Sequence, residues 1–201
     1  LAETKLQLFR EQAVTEIANT MARYNYYHSG GRQRECLDQF AMRTPDVAIE
    51  IAMWGQYHGP EGLYDNYVAG IAKHEETAGG RRGWYCEHPV YNPLIEVAAD
   101  GKTAKAEWQT FGPETAKEDP TDPDCKYDPN WMYGKFQADF IYENGHWKIW
   151  HFQVMPDIMC PTCKPFTEQR PHDDFVPVDM PDFANREKSF CEEYDVNKVR
   201  K

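Results

Sequence analysis

Residues 84–111 read WYCEHPVYNPLIEVAADGKTAKAEWQTF, two extended runs, 84–97 and 103–111, on either side of Asp100-Gly101. An Asp-Gly pair between runs rich in β-branched and aromatic residues supplies the positive backbone dihedrals of a two-residue hairpin turn. The same device recurs downstream, where residues 133–142 turn at Asn144-Gly145 into residues 147–155. Two long hairpins in succession predict an antiparallel meander. Between them, residues 114–130 are rich in Pro and Asp and read as an inserted loop near a pocket mouth.

Upstream the period changes from two to three and four. Leu6, Phe9, Ala13, Ile17, Met21 and Tyr24 mark one face of a long helix that stops at Ser29-Gly30-Gly31. Residues 32–41 carry Cys36, Leu37 and Phe40 on a short second helix, and Val47, Ile49, Ile51 and Met53 alternate as a strand. Pro60 suits the first position of a third helix marked by Leu63, Tyr64, Tyr67, Ile71 and His74. Helices followed by a strand meander define an α+β class. The expected form is a cone: a strongly curved antiparallel sheet with about three N-terminal helices across its concave face, enclosing a pocket. Residues 1–156 form this domain, and the Pro-rich residues 157–201 are expected to wrap over it or over a neighbouring subunit.

The bulk properties narrow the partners. At 201 residues the chain suits one domain, and a formal net charge of −11 disfavours phosphate backbones and anionic membrane surfaces. No apolar run reaches the length of a membrane helix, so a cytoplasmic protein that binds neither nucleic acid nor membrane is expected. The six cysteines are too sparse for a disulfide scaffold. Cys160 and Cys163 have the spacing of half a zinc site, but no second half follows, so no metal is expected there. No phosphate-binding glycine loop, GxSxG or HExxH occurs, and the pocket is expected to work without a cofactor.

Three stretches resemble the NTF2-like superfamily and, within it, SnoaL-like proteins: Arg23-Tyr24 with Tyr26-Tyr27, the run from His88 to Val97 with Thr103-Ala104, and Asn144-Gly145 with Trp147 and Ile149. They span about residues 10 to 155. The resemblance implies the cone fold, and a dimer or trimer, while the superfamily hosts many reactions. Tyr24 and His88 match the helix tyrosine and the catalytic histidine of the bile acid 7α-dehydratase and scytalone dehydratase groups. Ser29 stands where those groups carry the Asp that partners the histidine, and Pro156 stands near where the bile acid enzymes carry an Arg. Cofactor-free deformylases of this fold, which release formaldehyde from lignin-derived diaryl compounds, are a second analogue.

The residues support acid–base chemistry on a hydrophobic small molecule. His88 can take a proton from carbon and return one to a leaving group. Tyr24 and Tyr27, three apart on a helix, can offer phenols to a carbonyl, the alternative being two core aromatics. His151 is a second proton carrier if its alternation turns it inward, and a sheet-surface residue if outward; Asp139 shares that question. Trp54, Tyr57, Trp108, Tyr133 and Trp150 are candidates for an aromatic pocket wall, with ordinary packing as the alternative. Ser29 is a candidate substrate contact or a helix stop. The expected activity is a lyase that removes water or formaldehyde from a hydroxylated aromatic or polycyclic compound; a cyclase or isomerase, or a non-catalytic binding module, are the alternatives.

Overall fold

The computed structural model describes residues 2–51, 55–73, 85–117, 127–162 and 167, without the side chains of residues 116, 117, 127 and 128. Helix α1, Ala2–Ser29, buries Ala13, Ile17, Thr20, Met21 and Tyr24, the stripe set by its periodicity. Its end follows from glycine chemistry. Gly31 adopts φ +68°, and the amides of Gly30, Gly31 and Arg32 return to the carbonyls of Tyr26, His28 and Tyr27. A short α2, Gln33–Leu37, follows.

Helix α3, Gly59–Tyr64, has Pro60 in its first turn as expected, but then continues as a π-helical segment, Asp65–Ala72. Three successive residues of this segment, Asn66, Tyr67 and Val68, are buried. The expected end of this helix at Gly79-Gly80, like His74, lies outside the described residues.

Among the described residues, seven strands form one strongly curled sheet: β1 Ala48–Ile51, β2 Gly55–His58, β3 Tyr85–Cys86, β4 Val90–Val97, β5 Thr103–Lys117, β6 Tyr127–Glu143 and β7 His146–Pro161. The path is β2-β1-β7-β6-β5-β3, with β4 also paired to β5. The Asn144-Gly145 turn lies as expected, at φ +52° and +83°, whereas at Asp100-Gly101 only Gly101 is positive, at +71°, and the link between β4 and β5 spans residues 98–102 rather than a two-residue turn. One pairing departs from the antiparallel expectation. β1 runs parallel to β7, so the sheet is mixed. Residues 55–58 return as the antiparallel hairpin partner of β1. Bulges between Tyr133 and Gly134 and between Asp139 and Phe140 add to the curl.

Two further boundaries move. β5 runs through Pro113 and Glu114 to Lys117, and β6 begins at Tyr127, so the inserted loop is shorter than residues 114–130. β7 passes Met155 and ends at Pro161. The concave face is filled by an aromatic cluster of Tyr24, Phe40, Tyr67, Phe136 and Phe152, with Phe136 and Phe152 edge to face at 5.0 Å between centroids. Burying each such ring is worth about 1.5–3 kcal/mol. No described helix is long and apolar enough to cross a membrane.

Candidate active site

His88 sits in the link between β3 and β4, and three contacts hold that link against β5. The Glu87 amide donates to the Pro113 carbonyl at 3.1 Å, and the Thr110 hydroxyl donates to the Pro89 carbonyl at 2.9 Å. The third contact is a close approach of backbones: a Cβ on Gly112 would lie 1.6 Å from the Glu87 carbonyl oxygen, so no other residue fits there without moving the link. The His88 ring is thereby buried on the inner face, 5.7 Å from Phe136 and 6.1 Å from His28 between centroids.

On β5 the even-numbered residues Ala104, Ala106, Trp108 and Thr110 all point inward and are buried. Glu114 keeps that parity. Its Oε1 lies 2.7 Å from Nε2 of His88, and Cys86 Sγ lies 3.2 Å from the same nitrogen and 3.9 Å from the same oxygen. A carboxylate only accepts, so Nε2 carries a hydrogen and donates it to Glu114, the closer and stronger acceptor. Burial is the largest single influence on the imidazole and favours its neutral form. The electrostatic influence of the Cys86 sulfur, its hydrogen bond to the ring, and the Glu114 carboxylate together outweigh it and raise the His88 pKa well above its usual value. Nδ1 is buried and has no hydrogen-bond partner among the described residues. Leaving such an atom unsatisfied costs about 1–3 kcal/mol, which a bound molecule can recover.

The Tyr67 hydroxyl donates to the Tyr24 hydroxyl at 2.9 Å, so the hydrogen of Tyr24 remains for another acceptor. Both phenols are fully enclosed, and burial, the leading cause, raises both pKa values well above the ordinary range. His28 links the two groups: its ring lies 5.8 Å from Tyr24, 6.4 Å from Tyr67 and 6.1 Å from His88. Tyr27 is not part of this set. Its ring lies under the guanidinium of Arg32 at 4.8 Å, and Ser29 closes α1 half-buried.

The remaining candidates divide by sheet face. Tyr24 packs on Phe152 at 5.1 Å, which makes the Phe152 face the inner one and turns His151 outward. There His151 Nδ1 meets Asp139 Oδ2 at 2.9 Å, and Lys105 Nζ meets Asp139 Oδ1 at 2.7 Å. This outer triad is separated from His88 by the sheet. Tyr133 also points outward and stacks on Phe111 at 4.4 Å, so it does not line the inner face. Trp108 is inward but 2% exposed and packed on Phe140, a core residue. Tyr57 is half-buried on β2, its pKa raised by burial, and Trp150 donates to Asp46 at 2.9 Å beside His151. Trp54 lies outside the described residues.

Glu114, Cys86 and Tyr67 are the members that sequence reasoning did not assign. The inward alternation of residues 104–110, carried four residues further, reaches Glu114, but Pro113 and the Pro- and Asp-rich composition beyond it argued for a loop. Cys86, two residues before His88 in an extended run, shares its face by the same alternation.

Residues 10–153 match the family described as the SnoaL-like domain. No curated protein sequence matches the chain. Among solved structures, LinA aligns with a TM-score of 0.61 at 15% identity, covering 80% of this chain and 96% of its own. The hexachlorocyclohexane dehydrochlorinase LinA-type3 of Novosphingobium barchaimii aligns at 0.58 and 13% identity, covering 79% and 96%. A scytalone dehydratase-like protein of Novosphingobium aromaticivorans aligns at 0.57 and 15% identity, covering 84% and 96%. These likenesses show the NTF2-like cone, and enzymes are among the proteins that share it.

Proposed function

This chain belongs to the SnoaL-like domain family, and from that premise we propose that it is an acid–base lyase that eliminates water from a hydroxylated aromatic or polycyclic small molecule. One observation carries the reading: a buried histidine holds a carboxylate at 2.7 Å on Nε2 and, among the described residues, has no hydrogen-bond partner on Nδ1. A carboxylate on one imidazole nitrogen fixes the tautomer and leaves the other lone pair as a base.

In the proposed step, Nδ1 of His88, in the neutral form that the raised pKa makes available toward alkaline pH, takes a proton from a carbon that an adjacent carbonyl or ring acidifies. The C–H electron pair becomes a C=C bond, the neighbouring C–O bond breaks, and the departing hydroxide takes the proton back from the imidazolium as water. Glu114 stays ionised throughout and stabilises the transient cation. Tyr24, which accepts from Tyr67, donates its own hydrogen to the oxygen on which charge develops. General acid–base catalysis of this kind contributes about 10²–10⁴-fold. The dehydrochlorinase and the dehydratase-like protein of the same fold carry names that denote elimination, which supports the reading.

The test is incubation with hydroxylated steroids, polyketide phenols and diarylpropanes, with mass spectrometry for loss of water, beside a His88→Ala variant. Loss of water with wild type alone supports the reading. No turnover, or equal turnover by both proteins, removes it.

A further inference from the structure

We propose that Cys86, His88 and Glu114 form a binding site for one divalent ion of the zinc class, through Sγ, Nε2 and Oε1. The three donor atoms come from two places 28 residues apart in sequence and all lie within 4.8 Å of one another. Their separations are 3.2, 2.7 and 3.9 Å. In a tetrahedral zinc site, with bonds of about 2.0–2.3 Å, neighbouring donors stand about 3.2–3.7 Å apart. The observed separations bracket that range, so a bound ion would draw Oε1 away from Nε2 and toward Sγ.

The chemistry of the donors agrees with the geometry. Thiolate, imidazole and carboxylate are the three protein ligand types that zinc uses, and a set of three with an open fourth position is its usual catalytic arrangement. Thiolate and carboxylate together carry two negative charges, which match a divalent cation. Among the described residues, no Lys or Arg forms an ion pair with Glu114 that would compete. The donors are sheltered, with the side chains of His88 and Glu114 only 9% and 21% exposed.

Binding takes a proton from the Cys86 thiol and uses the Nε2 lone pair, so the remaining imidazole hydrogen must sit on Nδ1. That links the ion to the elimination proposed above. With hydrogen on Nδ1 the base is absent, and the metal-loaded protein is switched off for proton abstraction. The site itself rests on the three atoms and not on that reaction.

The experiment is an anaerobic titration of the full chain with Co²⁺, followed by the thiolate-to-cobalt charge-transfer absorption and then by displacement with Zn²⁺. One equivalent with a thiolate band is expected. The band should vanish in Cys86→Ser, persist in Cys160→Ser, and require at least about 10–100-fold more cobalt in Glu114→Gln. Circular dichroism confirms that each variant folds, and Glu114→Gln decides alone if Cys86→Ser does not. Absence of the band, its survival in Cys86→Ser, its loss in Cys160→Ser, or unchanged affinity in Glu114→Gln would overturn the site. The readout needs no turnover, so failure of the elimination reading leaves a positive cobalt result standing, and the converse also holds.

Discussion

Glu114 Oε1 lies 2.7 Å from Nε2 of His88, so the carboxylate that orients this imidazole comes from β5, opposite Cys86 of the edge strand β3. At the end of α1, Ser29 cannot supply one. In this structure the carboxylate beside His88 stands on β5 and not at the end of α1. Because β5 is anchored on both sides by neighbouring strands, a carboxylate there is held more firmly than one beside a glycine-rich helix stop.

Gly112 is the first test of how that geometry is maintained. A methyl group at this position would meet the Glu87 carbonyl at 1.6 Å, and backbone cannot rotate away as a side chain can. Gly112→Ala should lower stability by on the order of 1–3 kcal/mol and displace His88. Urea unfolding measures the first, and loss of activity in the folded fraction measures the second.

The two buried phenols act as a unit. Tyr24→Phe leaves the Tyr67 hydroxyl without its acceptor in an enclosed site, at a cost of about 1–3 kcal/mol. Adding Tyr67→Phe removes the stranded donor. The double variant should therefore be less destabilised than the sum of the singles, by a coupling of about 0.5–3 kcal/mol in a double-mutant cycle.

The same pair governs behaviour in alkali. Both phenols have folded-state pKa values above the unfolded value, so the folded protein retains protons that the unfolded chain releases. Their contribution is fully present below the unfolded phenol pKa of about 10 and is lost as pH rises through the folded values. Unfolding free energy should fall above that pH. The fall should be shallower in the double Phe variant, as read from unfolding curves across the alkaline range.

The outer triad supplies a contrast. Asp139→Asn and His151→Ala alter groups on the face opposite His88, where Lys105 and Asp139 pair at 2.7 Å. Turnover should change by no more than about twofold, equivalent to about 0.5 kcal/mol. A large loss of turnover with an unchanged melting temperature would place a working group on the wrong side of the sheet.

Much of this arrangement was legible in the sequence. The α1 stripe from Ala13 to Tyr24, the stop at Gly30-Gly31 and the turns at Gly101 and Gly145 are local effects, each set by residues within a few positions of one another, whereas Leu6, expected on the same stripe, is exposed. Tyr24 and His88 were legible as candidates, and the structure brings them to one face through His28. What escaped depends on distant pairing. The parallel contact of β1 with β7 joins residues about a hundred positions apart. The direction of His151 turns on a bulge at Trp150, where one extra residue reverses the count of faces. Glu114 was hidden because Pro113 reads as a strand breaker, although its carbonyl still accepts from Glu87 and only its absent amide is lost to the ladder.

The central claim is that Glu114 and His88 act together on a proton, and the most direct test is the rate of water loss by Glu114→Gln beside wild type and His88→Ala. The amide keeps the size of the side chain but removes its charge and its hold on the imidazole tautomer. The account predicts a fall of about 10²–10⁴-fold in kcat for Glu114→Gln with the fold intact, and no measurable turnover for His88→Ala. A wild-type rate in either variant would contradict it.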